Sequence, residues 1–235
     1  PMSVDRTGRL FIPTLGGAVV RQDDGRWLML GAVEGLLPQE VTQVLEDREG
    51  SVWISLLGGG IARWLGRGTW TSFTERQGLT ERTVWGITRD AQGRLWVGTN
   101  KGLFEEVRTG AGTTFRKSAV AGEHLVRNIS RSTSGVLWLC VELRELMRFD
   151  PTSGSIIRFG DAQGVPSGRL TSTSVDSSGR VWLLSAGGVR RSLDSSPSAR
   201  FFPVPGLPEA GRCDVMREAR PGEYWVGCER GLVHG

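Results

Sequence analysis

The sequence is poor in several residue types. It has one tyrosine, two lysines, two histidines and three cysteines among 235 residues. No run of 18 apolar residues occurs, so no stretch has the length and character of a membrane-spanning helix. Cys140, Cys213 and Cys228 form no C-x-x-C pair and are odd in number, which argues against a metal or redox motif. On apolar strand positions they are expected to be small core residues. His124 and His234 fall in different parts of the chain, so histidine-based metal chemistry has few ligands, and no metal or cofactor is expected.

Basic charge is almost wholly arginine, 27 of 29 basic residues, for a net charge of +4. The arginines are scattered among 25 acids rather than gathered into a stripe, so nucleic acid is not an expected partner. The opening "PMSVDRTG" has no leader pattern and reads as the middle of something longer.

What the chain does have is 34 glycines and nine tryptophans, and they recur together. Glycines at Gly8, Gly50, Gly93, Gly135, Gly179 and Gly222 are spaced by 42, 43, 42, 44 and 43 residues. Three residues after each stands an aromatic: Phe11, Trp53, Trp96, Trp138, Trp182 or Trp225. Its neighbours are apolar on both sides, as in "RLWVG" and "RVWLL", so each such strand must be covered on both faces. A second strand signal precedes the glycine and two shorter ones follow, giving four short strands per repeat. Asp5, Asp47, Asp90 and Asp176 lie three before their glycines, the arrangement of a tight turn whose acid caps backbone N–H groups. The stretch "GTNKGLF" leads into another strand, not a helix, which removes a phosphate-loop reading.

Such a period predicts an all-β fold, a β-propeller of four-stranded antiparallel blades. The repeat units fall near 1–40, 41–83, 84–125, 126–169, 170–212 and 213–235. Six copies of the first three strands and five of the fourth give about five and a half blades, expected as part of a seven-bladed ring of roughly 300 residues. A six-bladed ring lacking one strand is the competing expectation.

Residues 78–104, "GLTERTVWGITRDAQGRLWVGTNKGLF", resemble the two-component-regulator propeller repeat nearly position for position. The resemblance implies the periplasmic or extracytoplasmic sensor region of a bacterial inner-membrane receptor, a hybrid histidine kinase or diguanylate cyclase. It implies a small-molecule or carbohydrate-type ligand, a neighbouring propeller or dimer partner, and a membrane segment and output domain outside this chain. An interaction scaffold, and after it a propeller lyase or hydrolase, are the alternatives.

Binding residues are sought where the repeat leaves positions free, at the leading ends of the innermost strands. Five before the turn acid stand Thr42, Trp85, Arg127, Thr171 and Asp214. Trp85 with Arg82, His124 and Arg127 forms the candidate ligand-binding set: an aromatic face for stacking beside hydrogen-bonding cations. The other reading of Trp85 is filler between blades. No catalytic residue is expected within the chain. The fourth unit departs from the pattern, with Ser132 at the acid position and Arg144 in a glycine slot, so its loop is expected to differ in shape.

Overall fold

The computed structural model describes every residue except 1, 23, 38, 66–68, 111, 143, 144, 167 and 208–210. The described residues form an all-β propeller fold of six blades. Five are four-stranded and the sixth is three-stranded. Six blades replace the expected five and a half, and no seventh is present among the described residues. The half blade of the expectation is the last repeat, whose three strands pair into a sheet of their own.

Blade 1 consists of β1 (Ser3–Val4), β2 (Leu10–Thr14), β3 (Gly17–Arg21) and β4 (Trp27–Leu30). Blade 2 has β5 (Val41–Glu46), β6 (Val52–Leu56), β7 (Gly60–Trp64) and β8 (Trp70–Phe73). Blade 3 has β9 (Val84–Arg89), β10 (Leu95–Thr99), β11 (Gly102–Thr109) and β12 (Gly112–Ser118). Blade 4 has β13 (Val126–Arg131), β14 (Leu137–Val141), β15 (Glu145–Phe149) and β16 (Ile156–Phe159). Blade 5 has β17 (Leu170–Val175), β18 (Val181–Ser185), β19 (Gly188–Ser192) and β20 (Phe201–Pro203). Blade 6 has β21 (Cys213–Arg220), β22 (Glu223–Cys228) and β23 (Gly231–His234). Every sheet is an antiparallel meander in sequence order.

The chain divides into two compact units, Pro1–Glu123 with blades 1 to 3 and His124–Gly235 with blades 4 to 6. In each unit the apolar triplet of the second strand splits between two faces. In blade 2, Val52, Ile54 and Leu56 pack toward Phe11, Val20 and Leu30 of blade 1. Trp53, between them in sequence, packs instead with Ile87, Leu95 and Val97 of blade 3. In blade 5, Val181 and Leu183 join Trp138 and Phe159 of blade 4, whereas Trp182 and Leu184 join Met216 and Tyr224 of blade 6. Alternation along an extended strand sends successive side chains to opposite faces, so consecutive apolar residues are what a sheet buried on both sides requires.

The turns are built as their acids suggested, with one addition. Asp47 Oδ1 accepts from the N–H groups of Glu49 (3.1 Å) and Ser51 (2.8 Å), and its Oδ2 accepts from the indole N–H of Trp53 at 2.7 Å. Asp90 and Asp176 repeat this with Trp96 and Trp182, each at 2.9 Å. The acid therefore fixes both the turn and the aromatic that cements the next blade. Tryptophan, the one large apolar side chain whose ring N–H can reach such an acceptor, is selected for that reason.

Two cysteines depart from expectation. Cys213 and Cys228, directly opposite in the β21–β22 pair, form a disulfide rather than standing as separate core residues. A separation of 15 residues gave no motif by which to see it. Cys140 is a free, buried core residue, and burial pushes its thiol up to about 12.

Candidate functional site

The position five before the turn acid has a defined local structure in every blade from the second to the sixth. Between Val41 and Gln43 the register of β5 against β6 shifts, so that Thr42 is the extra residue of a β-bulge. The same shift brackets Trp85 in β9, Arg127 in β13, Thr171 in β17 and Asp214 in β21. A bulge re-aims its side chain out of the ladder's alternation.

Two of the five bulge residues are used to join blades. Thr42 Oγ1 donates to the Val84 carbonyl of blade 3 at 2.7 Å and lies 2.7 Å from Ser55 Oγ. Thr171 Oγ1 donates to the Cys213 carbonyl of blade 6. At the other three bulges the threonine is replaced by Trp85, Arg127 and Asp214, side chains with different chemistry.

In the first unit, Arg82 and Trp85 come from one segment leading into β9. The Arg82 carbonyl accepts from Gly60 N–H at 2.8 Å, which ties the segment to a turn of blade 2 and leaves the Arg82 side chain exposed. Trp85 is half-buried, and its indole N–H donates to Asn100 Oδ1 at 2.7 Å. One ring edge is thereby fixed within its own blade.

In the second unit, His124 and Arg127 come from the corresponding segment leading into β13. His124 is exposed, with Nδ1 3.2 Å from Glu142 Oε1, and the same oxygen accepts from Leu125 N–H at 2.9 Å. Glu142 has φ 49°, and among the described residues it is the only non-glycine in the left-handed region. Such strain at a surface turn is a mark of functional sites. The loop expected to differ in shape holds Leu143 and Arg144, which lie outside the described residues. Arg127 is half-buried. Its guanidinium is held below the ordinary arginine range, first by burial and then by Arg169 and Arg212, with Asp214 acting in the opposite sense.

Among the described residues no group of three histidines, cysteines or acids is placed to hold a metal ion. Two cavities of the first unit, of about 260 and 290 Å³, lie at the turns of blades 1 and 2. Arg9, Arg21 and Gln22 line one, and Arg6, Glu46 and Arg48 the other, so neither includes Arg82 or Trp85. No described helix is long and apolar enough to cross a membrane.

Residues 78–101, covering the leading segment of blade 3 with β9 and β10, match the family described as two component regulator propeller. Among curated proteins no relative matches the sequence. Solved structures similar to the chain include two described as extracellular domains of hybrid two component systems of B. thetaiotaomicron. BT4673 superposes with a TM-score of 0.79 at 17% identity, covering 99% of this chain and 34% of that one. BT3049 superposes with a TM-score of 0.76 at 20% identity, covering 96% and 31%. The chain thus spans about a third of the length of these structures. Virginiamycin B lyase from Staphylococcus aureus is also similar, with a TM-score of 0.73 at 16% identity, covering 100% and 82%. At these identities the likeness concerns the propeller fold alone.

The candidate positions were legible as places where the repeat varies. The bulge was not, because it is a property of register and needs the partner strand. Arg169 and Arg212, which act on Arg127, were missed as site residues. Their signal was present, since both stand seven before the turn-acid position of their repeats.

Proposed function

We propose that this chain is the ligand-sensing propeller of a bacterial membrane signalling receptor, a hybrid histidine kinase or diguanylate cyclase whose membrane segment and output domain lie outside it. The observation that carries the reading is the bulge series. Thr42 and Thr171 use the re-aimed position to join blades, whereas Trp85, Arg127 and Asp214 put ring and charge chemistry there. The regulator repeat at 78–101 and the likeness to extracellular domains of hybrid two component systems support it. The Cys213–Cys228 disulfide supports an extracytoplasmic location, because such bonds persist in oxidising compartments.

The ligand is a small molecule of carbohydrate type; in the first unit Trp85 and Arg82 offer a ring for stacking and a cation for hydrogen bonding, and in the second unit His124 and Arg127 offer hydrogen-bonding groups. Binding is transmitted as a population shift, the ligand favouring one packing against a neighbouring propeller or dimer partner. In the complete receptor, Trp85→Ala and Arg127→Ala are each expected to abolish the ligand-dependent output while circular dichroism stays unchanged. Full signalling by both variants would sink the reading.

A further inference from the structure

The connection from blade 1 to blade 2 begins with a turn whose lock recurs in two later connections. Glu34 Oε2 accepts from Gly31 N–H at 2.9 Å, as Gln77 Oε1 does from Thr74 N–H and Gln163 Oε1 from Gly160 N–H, each at 3.0 Å. The Gly31 carbonyl accepts from Glu34 N–H at 3.1 Å and from Leu36 N–H at 3.0 Å, and Leu36 is buried in the core shared by blades 1 and 2. The Glu34 carbonyl accepts the indole N–H of Trp70, from blade 2, at 2.6 Å. The turn is anchored on both sides, so the residue at its apex is held out in water. In the other two copies that residue is Arg76 or Ala162; here it is Val33, 95% exposed.

Val33 does not stand alone. The Gly16 carbonyl oxygen lies 3.4 Å from where a Cβ on Gly31 would stand, so the β2–β3 turn abuts this one and brings up Leu15, 78% exposed. Met29, 42% exposed, has Cε 3.7 Å from such a position on Gly16 and Cγ 3.7 Å from the one on Gly31. Leu37, 43% exposed, follows the anchored Leu36. Single exposed apolar side chains are ordinary, but four gathered on anchored backbone at one end of a blade mark a surface that something else covers.

The charge around them is of one sign. Residues 10–20 carry no charge, and residues 27–46 carry Glu34, Glu40 and Glu46 with no lysine, arginine or histidine. Glu46 stands at the far end of β5, where it accepts from Arg6 N–H, which leaves Glu34 and Glu40 at the leading end. Glu40 is exposed, and its carbonyl accepts from Leu57 N–H at 2.9 Å. Arg76, Arg82 and Lys101, cations at the leading ends of this unit, belong to the segments that enter and fold blade 3. Two copies meeting through this face would set acids against acids, and an anionic membrane would meet the same repulsion.

We infer that the leading end of blade 1 is a docking surface for a segment of another protein chain that carries apolar side chains flanked by lysine or arginine. Leu15, Met29, Val33 and Leu37 cover its apolar residues, and Glu34 and Glu40 pair with its cations. The surface uses none of the candidate ligand-binding residues, and it does not depend on ligand sensing.

The test is fluorescence anisotropy of a labelled leucine–lysine peptide, and of the same peptide with glutamate in place of lysine, titrated with the 235-residue chain. The chain's net charge of +4 favours the glutamate peptide, so a preference for lysine reports the local acids. The lysine peptide is expected to bind at least about tenfold more tightly, and Leu15→Ser/Val33→Ser to weaken it by at least about tenfold. Glu34→Gln/Glu40→Gln keeps the turn lock, since glutamine makes it in the other two copies, and should lose most of the preference for lysine. Leu193→Ser, at an exposed leucine of the second unit, should bind as the parent does. Circular dichroism should be the same for all. Equal binding of the two peptides, binding of neither, or unchanged binding by Leu15→Ser/Val33→Ser would overturn the surface. So would a parent that dimerises on gel filtration, or sediments with phosphatidylglycerol vesicles, only while Leu15 and Val33 are intact, since the face would then belong to a second copy or to a membrane.

Discussion

A single exchange shows how much one acid does in each blade. Asp47, Asp90 and Asp176 each accept the indole N–H of the tryptophan six residues on. In blade 4 the acid is replaced by Ser132, whose hydroxyl accepts from Val136 N–H at 3.1 Å and reaches no further. Trp138 is fully buried there, and its indole N–H has no acceptor among the described residues. A buried donor left unsatisfied costs about 1 to 3 kcal/mol. Ser132→Asp restores the arrangement of the other blades, and it is expected to raise stability by about 1 kcal/mol after the cost of burying the carboxylate. Urea titration checks this as a higher midpoint at unchanged slope. A lower midpoint would show that the site cannot accept the charge.

At the scale of a strand, the bulge is the element that divides structural from free positions. Thr171 is buried and spends its hydroxyl on the Cys213 carbonyl, so Thr171→Val removes a bond between blades without changing the side chain's shape. The expected loss is about 1 kcal/mol, read as a lower urea midpoint, and the same substitution at Thr42 should behave alike. No change in either variant would mean that the joints contribute nothing. The strands themselves were legible because three apolar residues in a row, at a fixed period, have few other solutions. The blade total was less legible, because the repeat alone does not say whether the last three strands, β21 to β23, pair into a sheet of their own. The disulfide was invisible for a similar reason. Cys213 and Cys228 become neighbours only once β21 and β22 are paired in register. The candidate positions could be found by comparing repeats, yet the difference between Thr171 and Arg127 emerged only from where each side chain goes.

Across the whole molecule the turn acids make stability depend on pH in a defined direction. Burial pushes Asp176 up, but hydrogen bonds from Trp182, Ser178 and Arg180 outweigh it and lower its carboxyl to about 2. Asp47 is raised by burial and lowered more by Trp53, Ser51, Arg89 and Arg63, and Asp5 is lowered in the same sense by Thr7 and Arg9. Each folded carboxyl therefore holds its proton less tightly than the unfolded one, whose pKa is about 3.9. The unfolded chain takes up protons first as pH falls, so the stabilisation is complete above that value and is lost toward about pH 2. Melting midpoints are expected to be level from about pH 7 to 5 and to drop steeply between about pH 4 and 2. A midpoint insensitive to acid would contradict the turn-lock account. The joints between blades have one more property in common, a nearly constant reach along the chain. Arg6 N–H to Glu46, Thr42 to Val84, Ser177 N–H to Glu218 and Thr171 to Cys213 span 40, 42, 41 and 42 residues. Within each unit, a blade emerging from the ribosome or a translocation pore needs only its immediate predecessor to dock against. Such a chain is suited to being completed stepwise while it is still being made, and one repeat can be duplicated or lost without rewriting the contacts of the others.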